Sequence, residues 1–484
     1  MFKCIHSAGA PVAKFPDNAK GKICQGPTRG LRCTLAGLGI KLGAKVKLKS
    51  RISFASKREH EAWLKANASL PEGFYAASTS FNFRPDETET ESSMSLSLLL
   101  CSMPSTSFAG VLTQSAFPGA PVQIAKEHLK NDKIAAIIVN TKVANVCAPE
   151  GLERASRVCR ELARSLSLNE DMIIPASTGV IGWGMPIFDI IGAQRSLLDA
   201  RQDESILPVA RGIMTTDLYP KIRRRDIADG TVVGIAKGAG MVEPNMATML
   251  CFIVSDIDIP KEELDPIFKR CVDRSLNAIS IDSDQSTSDM AIFLSSQRNR
   301  LSDLGAFEEA LGAVCSELAE DIVRNGEGTH HVIKVRVKGA PDERIARGMG
   351  KAILNSPLCK CAIAGNDPNV GRILMAIGDY VGGLEPALDA SAMELRMGGM
   401  PFFKRGRFFL EPELEELFYK HLKEAELYSS AEPKNGVFRP SLSWPVHEKC
   451  VELEISLGLG DANFCTIGSD LTHEYVSENA DYRS

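Results

Sequence analysis

The chain has 484 residues, 44% hydrophobic and 24% charged, with a formal net charge of −5. That composition excludes the weakly hydrophobic disordered class, and the length suffices for two or three packed cores. No apolar run approaches the ~20 residues that a membrane-crossing helix needs, and thirteen cysteines, an odd number in a long chain, argue against a disulfide framework.

Charge is unevenly distributed. Residues 1–58 carry 13 Lys and Arg and one acid, Asp17, leaving 43 basic and 60 acidic residues, or −17, in the remainder. A basic, acid-poor leader on an acidic body reads as an organellar transit peptide. The mitochondrial matrix is the expected destination, with a plastid as the other reading and the cytoplasm if the leader is not a targeting signal. An acidic body without a basic stripe points away from nucleic acid as a partner.

In chain order, residues 51–95 read as polar and irregular, closing in the surface loop "DETETESS". The compact apolar run "KIAAIIVN" (133–140) predicts a buried strand, and residues 151–168 place apolar side chains at helical spacing. Strands are predicted over 231–236 and 249–256. A helix follows from "PKEELDPIFKRCVDRSL", which starts with proline and acids in its first turn. A strand at 290–296, a helix over 304–324 and alternating strands at 331–340 and 451–458 complete an α/β pattern. The charged helical segment 412–427 and the polar, proline-bearing stretch after it read as an insertion near the surface.

Four stretches could carry chemistry. "KGAGMVEPNMATML" (237–250) sets special backbone before Thr248 at the head of a strand. If the bond before Thr248 is cut, the freed α-amine lies beside its own hydroxyl, and with an ordinary pKa of about 7.7–8.0 it can serve as the base. The lysine precedes the glycines, the wrong order for a phosphate-binding loop. "PASTGVIGWGMP" (175–186) is a tight loop whose backbone N–H groups could receive an oxyanion. "RNGEGTHH" (324–331) sets Glu327 between two glycines, and its adjacent histidines would face opposite sides of a strand, a poor metal pair. "AGNDPNVGRILMAIG" (364–378) reads as a turn entering a helix, with Arg372 in a structural role. Cys359 and Cys361 form a C-x-C with no second pair at zinc spacing, and no metal is expected.

Taken together and in this order, the four stretches, with "STSD" (286–289), "NSPLCKCAIAGNDPNVGRIL" and the terminal "YVSENADYRS", resemble the ornithine acetyltransferase (glutamate N-acetyltransferase) family over residues 68–484. The resemblance implies an αββα sandwich of N-terminal-nucleophile type with a smaller C-terminal α/β region. It also implies self-cleavage between Ala247 and Thr248, giving chains 59–247 and 248–484 that assemble as a heterotetramer. Thr248 would take acetyl from N2-acetylornithine and pass it to glutamate. Thr178 and Gly179 match the oxyanion pair. Lys237, Glu327, Asn479, Ser484 and a threonine of "MTTD", Thr215 or Thr216, match substrate-binding positions. No metal or bound cofactor is implied, and acetyl-CoA remains open as a second donor. A related N-terminal-nucleophile amidase or aminopeptidase, passing the acyl group to water, is the alternative. The stretch 402–445 is longer than in typical members, and Val370 stands where tryptophan is frequent.

Overall fold

The computed structural model describes residues 52–243, 249–385, 387–389 and 392–481, which fall in one compact unit spanning Arg51–Ser484. Three sheets organise the described residues. The first runs Phe74–Phe83, Ser92–Ser105, Ile134–Asn140, Ile173–Ser177 from edge to edge. The second runs Phe108–Leu112, Met290–Arg300, Leu250–Asp258, Gly230–Lys237, Lys221–Ile227.

Strand alternation explains the layering. In Ile134–Asn140 every residue is buried: Ile137 and Val139 pack into a core shared with Ile235, Phe252 and Ile292 of the second sheet. Ala136 and Ile138 point the other way, onto Val158 and Leu162 of the helix Gly151–Leu166 and Ile190 of Ile187–Asp199. In Leu250–Asp258 the same parity sends Leu250, Phe252 and Val254 inward. Cys251 and Ile253 face Phe268 of Lys261–Asp273 and Leu311 of Leu304–Arg324. A side-chain period of two on strands covered on both faces yields helix, sheet, sheet, helix. This is the expected αββα sandwich.

The third sheet is built around Val332–Ala340, which pairs in parallel with Val451–Ser456 and antiparallel with Ala462–Ser469. Helices Glu343–Leu354 and Val370–Gly382 pack on it, forming the C-terminal α/β region. Val370 is buried in this core. The long stretch 402–445 is not wholly peripheral, because its helix Pro412–Ala425 drives Phe418 and Leu422 into the same core.

The polar reading of residues 51–95 needs correction. It holds the helix Lys57–Asn67, capped by Ser56, the strand Phe74–Phe83 and the start of Ser92–Ser105. Serine, threonine and asparagine at the more exposed positions of "FYAASTSFNF" mask a strand whose Phe74, Ala76, Ala77 and Phe83 are buried. Residues 52–58 also join the body: Ile52 N–H donates to Glu448 at 3.2 Å and Phe54 N–H to the Val446 carbonyl at 3.2 Å. No helix among the described residues is long and apolar enough to cross a membrane.

Candidate active site

The site forms where the strand Gly230–Lys237 ends and its antiparallel neighbour begins. Lys237 pairs in register with Leu250, and the Met249 carbonyl accepts the Met290 N–H at 3.1 Å. Ala247 and Thr248 lie outside the described residues, as does Ser484.

Lys237 is 6% exposed, and its Nζ donates to Thr178 Oγ1 at 3.1 Å, joining the ends of the two sheets. The Thr178 N–H is already spent on the Asn140 carbonyl at 3.0 Å. Its hydroxyl, with a lone pair occupied by the lysine, is thereby free to donate elsewhere. Gly179 follows at φ +130°, and a Cβ there would stand 2.2 Å from the Lys142 carbonyl carbon, so only glycine fits this turn.

Burial holds the Lys237 ammonium below the ordinary lysine range, opposed by the carboxylates of Asp217 and Asp289. Burial alone would raise Asp217, but Lys221 and Lys237 outweigh it and hold the carboxyl at about 2. Asp217 also accepts the N–H groups of Thr215 and Gly238, each at 3.0 Å, which fastens the "MTTD" loop to the residue after Lys237. Thr215 is exposed and Thr216 half-buried on that loop. Asp289 behaves oppositely: burial raises it well above the usual carboxylate range, with Lys237 and the Met249 N–H pulling the other way. Among the described residues its Oδ2 has no hydrogen-bond partner, nor do the buried hydroxyls of Thr287 and Ser288.

Glu327 reaches the same strand end from the helix Leu304–Arg324. Its N–H donates to the Ala239 carbonyl at 2.8 Å, and its carboxylate lies against Gly240, where an added Cβ would sit 2.2 Å from Oε2. Asn479, on the C-terminal helix His473–Asp481, donates to Glu327 Oε2 at 2.9 Å. Lys237, Thr178, Gly179, the 215–217 loop, Glu327 and Asn479 thus form one linked locus. Arg372 donates to the Leu358 carbonyl at 2.9 Å, a structural role. His330 and His331 are buried and turn to different carboxylates, Glu474 and Asp470. Sequence reasoning passed over Asp217 and Asp289 as functional groups, although each closes a quoted run of small polar residues.

The ArgJ family matches residues 83–484. The chain belongs to the ArgJ family. The arginine biosynthesis bifunctional protein ArgJ of Rhodococcoides fascians is 36% identical over 418 residues, covering 86% of this chain and 95% of its own length. The glutamate N-acetyltransferase Oat2 of Streptomyces clavuligerus is 35% identical over 388 residues, covering 79% of this chain and 92% of its own. A solved ornithine acetyltransferase of Mycobacterium tuberculosis, complexed with ornithine, is 26% identical, with a TM-score of 0.33 over 37% of this chain and 96% of that one. As an ArgJ protein the chain is an acetyl-transferring enzyme of arginine biosynthesis.

Proposed function

We propose that the chain cleaves itself between Ala247 and Thr248, and that Thr248 then carries acetyl from N2-acetylornithine to glutamate, yielding ornithine and N-acetylglutamate. The observation that carries this reading is the Lys237–Thr178 hydrogen bond beside the Glu327–Asn479 pair. An oxyanion donor, a cation for a carboxylate and an anion for an ammonium group converge at the strand end next to residue 248.

The chemistry runs in two balanced halves. The α-amine of Thr248 takes the hydroxyl proton as Oγ attacks the acetyl carbonyl. The tetrahedral oxyanion is received by Thr178 Oγ1–H and Gly179 N–H. Ornithine leaves with the proton, its freed amino group intact, and the acetyl ester remains on Oγ. Glutamate's amine then attacks the ester, and the threonine hydroxyl is restored. Lys237, Glu327, Asn479, Ser484 and Thr215 or Thr216 hold the amino acid in both halves. No metal or bound cofactor has a role in these steps, and acetyl-CoA is a candidate second donor.

The test is incubation with N2-acetylornithine, with and without glutamate. Glutamate-dependent ornithine release supports transfer, and equal release without glutamate indicates the amidase alternative. Intact mass should give a chain starting at Thr248, and Thr248→Ala should abolish both cleavage and transfer. A processed, active Thr248→Ala protein overturns the proposal.

The same reading assigns chains ending at 247 and starting at 248, assembled as a heterotetramer, to be checked by light scattering. It places the enzyme in the mitochondrial matrix after removal of a leader expected at residues 1–58, and the hydrogen bonds of Ile52 and Phe54 to the folded body favour a cut upstream of them. Fractionation and N-terminal sequencing of the mature protein check both points.

A further inference from the structure

We infer that the segment 427–438 is a clamp that holds the C-terminal helix His473–Asp481 against the Glu327 loop and thereby sets the affinity for the amino-acid substrates, with Tyr428 and Phe438 as positioning residues. The inference rests on the proposed reading of Glu327 and Asn479 as substrate-binding groups.

The helix is docked by groups that are costly to bury. Glu474 is fully buried, and neither of its carboxylate oxygens has a hydrogen-bond partner among the described residues. The group facing it is the buried His330 ring, whose Nε2 stands 3.2 Å from Oε1, within charge-pairing distance but off the line of a hydrogen bond. A carboxylate removed from water without such a neighbour is strongly disfavoured. The placement of the His330 ring thus contributes to the register of the helix, beside the Thr472 hydroxyl that donates to the Gly328 carbonyl at 2.6 Å and the Tyr475 hydroxyl that donates to Asp282 at 3.3 Å.

The segment after Pro412–Ala425 fixes that ring. Leu427 N–H donates to the His330 carbonyl at 2.8 Å, and the Tyr428 ring meets the imidazole edge-on, with centroids 4.6 Å apart. Further along, Phe438 grips the helix directly: its ring stacks on His473 at 5.0 Å and its N–H donates to Ser477 Oγ at 3.2 Å. Two contacts thus bear on the helix, one through His330, three residues after Glu327, and one on the helix itself. A helix carries such constraints as a rigid body, so fixing Glu474 and Ser477 fixes Asn479, which donates to Glu327. This gives the long stretch 402–445 a task at the site, through contacts that reach the residues ordering Glu327 without themselves touching substrate.

The test compares wild type with Tyr428→Ala and Phe438→Ala, using Tyr428→Phe and Phe438→Tyr as ring-preserving controls. Two quantities are measured: the steady-state parameters of glutamate-dependent ornithine release, and amide hydrogen exchange in residues 473–481. In the alanine variants KM for glutamate should rise about tenfold with kcat held within about twofold, the pattern of lost ground-state binding. Exchange in the helix should quicken, and the ring-preserving variants should behave as wild type. Wild-type KM in both alanine variants overturns the inference, whatever the exchange shows. A wild-type enzyme without glutamate-dependent transfer overturns the functional reading and the substrate half of this one. In that case, faster exchange in the variants still establishes the clamp and unchanged exchange removes it.

Discussion

Asn355 Nδ2 donates to Glu243 Oε2 at 2.6 Å, tying the C-terminal α/β region to the residue four positions before Ala247. Ser280 Oγ donates to the same oxygen at 2.7 Å. The preceding backbone is held too, as the N–H groups of Met241 and Val242 donate to Asp282 at 2.6 and 2.7 Å. Downstream, Met249 and Leu250 are fixed by strand pairing. Anchors on either side favour a reaction that depends on the relative placement of a hydroxyl and a carbonyl, a contribution that is largely entropic. Asn355→Ala should therefore slow self-cleavage by on the order of tenfold while leaving the transfer rate of fully processed protein near wild type. A time course of precursor loss by intact mass, followed by assay of the matured fraction, checks this. Wild-type cleavage would show the anchor to be idle.

Lys237 serves two neighbours, Thr178 Oγ1 and the carboxylate cluster of Asp217 and Asp289. Lys237→Met keeps most of the length and removes the charge. Asp217 retains Lys221, so the fold should survive. Transfer should fall by about 100-fold or more in kcat/KM, because the variant loses both the cation for a substrate carboxylate and the donor that orients the Thr178 hydroxyl. Circular dichroism establishes folding and steady-state kinetics the loss. A variant within a few-fold of wild type would remove Lys237 from the mechanism.

The two buried aspartates should pull stability in opposite directions with pH. Asp217 is held at about 2, below its unfolded value near 3.9. Its contribution, on the order of 2–3 kcal/mol, is fully present above pH ~4 and is lost as pH falls through about 2. Asp289 is raised, so the folded state favours its protonated form. That contribution is greatest below the unfolded value and declines as pH rises towards the folded one. Asp289→Asn should therefore raise Tm at pH 7 more than at pH 4, as melting curves at the two values will show. An equal shift at both would mean that the Asp289 carboxyl is not desolvated.

These aspartates mark where sequence reading stops. Strand Ile134–Asn140 was legible as an unbroken apolar run, and helix Leu304–Arg324 because its apolar residues recur at helical spacing. The site positions were legible as motifs. Burial of an acid was not, because Asp217 and Asp289 look like loop residues until Lys221, Lys237 and the strands close over them. The strand Phe74–Phe83 was hidden for a related reason, its polar residues being tolerated on its more exposed positions. Contacts such as Tyr428 with His330 join residues nearly a hundred positions apart, and no local pattern announces them.

Gly179 offers the sharpest test of the oxyanion pair. Its φ of +130° is one that side chains rarely adopt, and an alanine Cβ would sit 2.2 Å from the Lys142 carbonyl carbon and 2.3 Å from its oxygen. The collision is with backbone, which cannot swing aside as a flexible side chain would. Lys142 O also accepts the Val180 N–H at 2.9 Å, so relief of the clash must displace the loop that carries Thr178. Gly179→Ala should cost about 1–3 kcal/mol through backbone strain. It should also reduce transfer far more than a stability loss of that size explains, because both oxyanion donors move together. The discriminating measurement is kcat at a temperature where melting curves show the variant fully folded. Near-wild-type kcat there would mean that the acyl oxyanion is received elsewhere.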